Sequence, residues 1–470
     1  MAAAETTYPP DTSARYQPIN NGLEAAAIAA GSETAEEELA WARPAKRRRW
    51  DWRTGVVGLG LGVLLGAGAF HAGGKLREDD SVEDKENALQ GKETVFSESL
   101  PTVRNASDVR LAPIRIHYRE EPGINQRGPI LFPDCPIPVV YTTDEKSADI
   151  VVLNTDSSQS LSPQEYEDGR RERPWQKHAV WGVESAPNRH ALEAHFNLRR
   201  EGKGNETAEF EMTYRLNSTV PATYSYSYFN YGNQPIPREE KRQDKIAAAF
   251  VTNCHPRNAR TLILDELIKL LPGKIDSFGA CRTNAEADAT LQDMGLYDSV
   301  GTHNRWNQKI TLIGYYPFTI AFENSNDLDY ATEKLFQAFE RGTIPLAFGA
   351  PDYAHRFFPS PNAGIDVSEY LPASYSALSN SSSEAPSELD DEAKAGLAKL
   401  AERLEYLWSE EGAEEYESML AWKKDDRWKR DPVNPLGKIV RLSTSKYGQD
   451  CRLAGAFRGE DWAKNTWTPP

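Results

Sequence analysis

The stretch that most constrains this chain is residues 322–349, FENSNDLDYATEKLFQAFERGTIPLAFG. An apolar run at 319–322 reads as a buried strand that ends abruptly in polar residues. After a short acidic loop, Thr332 and Glu333 suit a helix start, and Leu335, Phe336 and Phe339 form a stripe that packs a helix on a sheet. The helix stops at Gly342, and a second apolar run at 344–348 ends in Gly349-Ala350-Pro351. This is a β–loop–α–β unit, the building block of a parallel sheet. In such sheets ligands collect beyond the carboxyl ends of the strands, where helix N-termini offer free N–H groups to phosphate. Glu323, Asn324, Tyr330, Glu333 and Lys334 all fall at that edge.

With 470 residues, 39% of them hydrophobic, the chain has room for two to three folded units at ~150 residues each. Its formal charge of −16 argues against a general nucleic-acid binder, which needs a basic face. Residues 1–54 read as a cytosolic disordered tail, rich in Ala, Glu, Thr and Pro up to residue 40 and then basic at Lys46-Arg47-Arg48-Arg49. Residues 55–74 carry no formal charge and match the ~20 residues that cross a bilayer. The basic flank keeps the N-terminus cytosolic and puts the rest in the lumen, the layout of a single-pass type II membrane protein. Residues 75–108 read as a charged, flexible stem. Sequons follow at Asn105, Asn205, Asn217 and Asn380 as glycosylation candidates, all on the expected lumenal side.

The first folded unit is expected at 109–242, with strands at 114–116, 139–141, 148–153 and 177–183, the last delivering Glu184-Ser185-Ala186-Pro187. The second is expected at 243–425. It opens with a strand at 246–251, then Thr252 to Arg260, a leucine-rich helix, and a strand leading to Cys281. Residues 372–392 read as an exposed loop, 393–422 as helix, and 426–470 as a tail. Four cysteines allow three pairings. Cys254 and Cys281 each follow a strand at the same sheet edge, which favours that bridge and leaves Cys135 with Cys451. A zinc site is the rival reading, without any C-x-x-C pair to support it.

Several separated motifs resemble the α-1,3-fucosyltransferases, glycosyltransferase family 10. F-E-N-S, D-Y-x-T-E-K-L-F and G-T-I-P-L in residues 322–346 resemble the donor-binding motif. T-N-C-x-x-R-N-A-R from Thr252 and D-S-F-G-x-C from Asp276 lie ahead of it in the family's order. In the first unit, Glu184-Ser185 before Pro187 and the Tyr214-Arg215 segment resemble the acceptor side. Ala186 is an insertion relative to E-S-P, and 199–209 is a charged insertion.

The resemblance implies a GT-B fold, two Rossmann-like α/β/α domains facing across a cleft. It also implies transfer of fucose from GDP-fucose to a sugar hydroxyl with inversion, so no enzyme nucleophile is needed. A base must then take the acceptor proton, and cations or N–H donors must stabilise the departing diphosphate. Glu184 is the expected base. Arg257 and Lys334 are the expected leaving-group cations, helped by the N-terminus of the Thr332 helix. Asn258, Tyr330, Glu333, Glu323 and Asn324 complete the expected donor site. Arg260 is expected to pack outward or meet an acid. Of the histidines, only His255 beside Arg257 is placed to reach phosphate.

Asp327-Leu328-Asp329 spells the D-x-D that binds metal in other glycosyltransferases, but it sits in the variable loop of a motif resembling a metal-independent fold. No cofactor is expected, although Mn²⁺ could still stimulate activity. The expected partners are GDP-fucose, a glycan or glycoprotein acceptor and the Golgi membrane. Residues 349–351 and D-S-F-G-x-C lean toward the branch that modifies the core GlcNAc of N-glycans. Antennal GlcNAc, a protein hydroxyl, and a catalytically silent GDP-sugar- or glycan-binding homologue are the alternatives.

Overall fold

A computed structural model describes residues 112–126, 135–155, 163–204, 207–300, 305–445, 447–465 and 467. The tail, anchor and stem expected at 1–108 lie outside these residues, as do the sequons at Asn105 and Asn205. Among the described residues no helix is long and apolar enough to cross a membrane.

Two five-stranded parallel sheets organise the fold. The first has the order β2-β1-β3-β4-β5, from β1 (Ile114–Arg119), β2 (Val139–Tyr141), β3 (Ile150–Asn154), β4 (Lys177–Gly182) and β5 (Phe210–Thr213). The second has the order β10-β9-β8-β6-β7, from β6 (Ala247–Ala249), β7 (Ile275–Ser277), β8 (Phe318–Phe322), β9 (Ile344–Phe348) and β10 (Ile365–Asp366). Strands β3, β8 and β9 are buried at every position. That is why they read as continuous apolar runs rather than alternations.

The helices that matter below are α1 (His190–Arg200), α2 (Arg260–Leu270), α3 (Glu333–Arg341), α4 (Asp391–Trp408), α5 (Pro435–Ser443) and α6 (Gln449–Arg458). Helix α3 ends as expected at Gly342, whose φ of 66° closes the last turn in the left-handed region. Leu335, Phe336 and Phe339 are buried on its inner face. Phe196 and Asn197 lie in α1.

The two halves share one apolar cluster. Val180, Leu192, Phe196 and Tyr214 from the first half pack in it with Tyr330, Phe336, Phe339 and Tyr353 from the second. Around the predicted base the halves therefore meet in a packed seam rather than an open cleft. Both disulfides form as expected, Cys254–Cys281 and Cys135–Cys451. The segment read as a C-terminal tail is helical instead. Helix α6 returns to the first sheet, where Leu453 and Ala454 join Ile114, Ile116 and Val139 in the core. The helix is short and its burial depends on a sheet more than 300 residues earlier in the chain, so no local periodicity announces it.

Candidate active site

The site forms where the carboxyl ends of β4 and β8 face one another. In β4–β5 pairing, Gly182 lies opposite Thr213, so Glu184 and Tyr214 emerge at the same edge. In β8–β9 pairing, Phe322 lies opposite Phe348, so Glu323 and Gly349 emerge together. Gly349 has φ 132°, and a Cβ there would lie 2.6 Å from Glu323 Cβ. Only glycine allows the backbone to pass so close to that carboxylate side chain.

Glu184 is fully buried. Its Oε1 accepts from the Tyr330 hydroxyl at 2.7 Å, the Ser185 N–H at 2.7 Å, Asn188 Nδ2 at 3.2 Å and Asn324 Nδ2 at 3.3 Å. Its Oε2 is buried with no hydrogen-bond partner. Such an atom costs free energy unless something else is meant to meet it. Ser325 Oγ donates to Ser185 Oγ at 2.7 Å, a further direct bond between the halves. Burial and the neighbouring Glu184 carboxylate hold the Tyr330 hydroxyl well above its ordinary pKa, so it remains a donor.

Arg257 belongs to this arrangement. Its Nε donates to Asn188 Oδ1 at 2.8 Å, and Nη1 donates to the carbonyls of Ser381 and Ser383 at 2.8 and 3.3 Å. The exposed loop expected at 372–392 therefore sends a strap to the site, which sequence reading missed. Asn258 is buried and supports the loop after β8, donating to Glu323 O at 3.1 Å and Asn326 Oδ1 at 2.9 Å. Arg260 differs from expectation. It is buried and donates to the carbonyls of Phe322 and Asn253. His255 is exposed.

Lys334 pairs with Glu333 at 3.1 Å and with Glu323 at 3.6 Å, in a nearly water-free pocket. Glu323 also accepts from Thr332 N–H at 2.7 Å and Thr332 Oγ1 at 2.9 Å. The N-terminus of α3, expected to hold phosphate, thus already carries a carboxylate. Burial pushes the Glu323 pKa up to about 7, against the opposing pull of Lys334.

The D-x-D residues bind arginines. Asp327 pairs with Arg215 at 2.6 Å and accepts from Tyr214 OH and, at 3.2 Å, from Ala186 N–H. Asp329 pairs with Arg356 and accepts from Leu216 N–H at 3.1 Å. The inserted Ala186 N–H donates to Tyr214 OH in its own half and to Asp327 across the seam. Asn188, Tyr214 and Arg215 were not singled out from the sequence as site residues. Their partners lie over a hundred residues away, or in one case 69, so spacing carries no signal for them.

Comparison with known proteins agrees with the donor half. Residues 240–380 match the model of the glycosyltransferase family 10 (fucosyltransferase) C-terminal region. An α-(1,3)-fucosyltransferase C of Drosophila melanogaster is 33% identical over 127 residues, covering 27% of this chain and 25% of that protein. A GDP-fucose protein O-fucosyltransferase 3 of Xenopus laevis is 31% identical over 119 residues, covering 25% of this chain and 23% of that protein. The chain spans well under two thirds of the length of these relatives. A crystal structure of an α1,3-fucosyltransferase aligns with 79% of this chain and 96% of its own at 14% identity, with a TM-score of 0.37. Residues 240–380, with the donor-half motifs in family order, are therefore similar to the C-terminal region of glycosyltransferase family 10, the fucosyltransferases.

Proposed function

We propose that this chain is an inverting fucosyltransferase that moves L-fucose from GDP-β-L-fucose to a GlcNAc hydroxyl of a glycan in α-1,3 linkage. The observation that carries the reading is Glu184. This buried carboxylate of the first half has one unpartnered oxygen and is held by Asn324 and Tyr330 of the donor motif. In this reaction the acceptor oxygen bonds to the anomeric carbon as the bond from that carbon to the diphosphate breaks. Glu184 Oε2 takes the acceptor proton, and the electron pair leaves with GDP. Arg257 and Lys334 stabilise the charge that develops on the leaving diphosphate. Glu333 and Tyr330 accept or donate hydrogen bonds to donor hydroxyls.

Glu184 is sealed, so turnover requires the covering segments to part. The half-buried strap at Ser381 and Ser383, which Arg257 holds, is the candidate for that motion. Two disulfides suit an oxidising compartment, in keeping with a lumenal Golgi enzyme on an N-terminal anchor. Metal is not part of the proposed mechanism, because both D-x-D carboxylates are spent on arginines.

Glu184→Gln is expected to abolish turnover with labelled GDP-fucose while GDP still raises the thermal midpoint. Normal turnover by that variant would remove the base assignment. A second reading, transfer to a protein hydroxyl, is favoured by the similarity to a protein O-fucosyltransferase. Defined core and antennal glycans assayed beside unglycosylated protein acceptors separate the two, since only one class will be labelled.

A further inference from the structure

Asn188 touches both chemical halves of the proposed site. It follows the short turn after Glu184, and its amide lies between the carboxylate of the first half and the guanidinium of the second. Arg257 Nε donates to its Oδ1 at 2.8 Å. Its Nδ2 donates to Glu184 Oε1 at 3.2 Å and to Ser185 Oγ at 3.0 Å. The neighbours fix which way the amide points. A guanidinium only donates and an ionised carboxylate only accepts, so the oxygen must face Arg257 and the NH₂ must face Glu184. Arg257 is positioned further by two strap carbonyls bonded to Nη1, and Nη2 makes none of these bonds.

We propose that Asn188 is a positioning residue that couples Glu184 to Arg257, so that a diphosphate drawing on the guanidinium changes how the base is held. This rests on the reading of Glu184 as base and Arg257 as diphosphate ligand. With Arg257 engaged by Asn188, the amide is committed and Glu184 Oε1 carries its full set of donors. When the guanidinium turns to a diphosphate, the amide is released and the carboxylate loses part of the bonding that stabilises its charge. A carboxylate stripped of a donor is a better proton acceptor. The donor nucleotide thereby readies the base on the opposite wall.

The other groups facing Glu184 stay in place in this scheme. They are the Tyr330 hydroxyl, the Asn324 amide and the Ser185 N–H. Tyr330 itself feels the charges of Glu323 and Tyr224, and Asp327 lies behind Ala186 N–H.

The test is the pH dependence of kcat and of KM for GDP-fucose in the full chain carrying Asn188→Ala or Asn188→Asp. GDP binding is measured by calorimetry, and the thermal midpoint reports folding. Removing the donor, or replacing it with a second carboxylate, favours the protonated base. The acidic limb of the rate profile should therefore move up, by about one pH unit in the Asp variant and less in the Ala variant. In Asn188→Ala, kcat should fall where the shifted limb leaves the base protonated and stay near that of the unaltered chain above it. GDP affinity should stay within about threefold, less than half of a tenfold change in free energy. An acidic limb that does not move in either folded variant overturns the coupling. If Asn188→Asp does not fold, the limb in Asn188→Ala decides alone. Glu184→Gln separates the two levels. An inactive Glu184→Gln with an unmoved limb sinks only the coupling, whereas an active Glu184→Gln sinks the base reading beneath it.

Discussion

Glu323 and Lys334 make a buried pair in which burial works against the charge on the carboxylate. Because burial lifts the Glu323 pKa from its ordinary 4.5 to about 7, the folded state binds a proton there that the unfolded chain releases. Its contribution to stability is therefore fully present below about pH 4.5 and is lost as pH rises through about 7. The size is on the order of 3 kcal/mol. Chemical denaturation at a series of pH values should show this decline, and Glu323→Gln should flatten it. Lys334→Ala strips the cation from two buried carboxylates, so it should lower the denaturation midpoint as well as donor affinity and turnover. A variant with weakened kinetics and an unchanged midpoint would show that the pair contributes little to the fold. At this scale the sequence was informative wherever a family motif named the residue, as for Glu184, Asn324, Tyr330 and Lys334. It did not name Asn188 and gave Tyr214 only as part of an acceptor-side motif, because each also has a partner in the distant half.

Among elements, the β8–α3–β9 unit was legible because every cue agreed. It has continuous apolar strands, a clean stripe on the helix, and glycine at the left-handed stop. The loop inside it was misleading. Its Asp327 and Asp329 spell a metal motif, yet they work as a latch on the segment after β5. Asp327 takes Arg215, the Tyr214 hydroxyl and the Ala186 N–H, and Asp329 takes Arg356 and the Leu216 N–H. Arg215→Ala leaves a nearly buried Asp327 carboxylate without its cation and should cost about 2–4 kcal/mol. The loss would be read as a fall in the denaturant midpoint with the slope unchanged. Added Mn²⁺ should not rescue it, and rescue would reopen the metal reading. Arg260 was misjudged for a similar reason. One turn of spacing from Arg257 says which way a helix faces, but not that the carbonyls of Phe322 and Asn253 wait there.

Across the whole molecule, the two-sheet plan could be read in advance, but closure of the first sheet by the end of the chain could not. Helix α6 is stitched to that sheet by Cys135–Cys451, and Asp450 accepts from Tyr118. The cysteines are 316 residues apart. The chain-entropy relation puts the bridge's contribution at roughly 5–6 kcal/mol. Cys135→Ser should therefore lower the thermal midpoint far more than a surface substitution would, and it should expose the first half to protease before the second. Equal resistance in both halves would show that packing of Leu453 and Ala454 alone holds the closure.

That closure also sets a timetable for synthesis. A ribosome delivers β1 long before it delivers the helix that completes β1's core. The first half must wait, unfinished, while the donor-binding half can assemble from a contiguous stretch. A nascent chain stalled before Cys451 would expose an incomplete front half beside a finished rear one, and would be dependent on folding assistance until the final helix emerged.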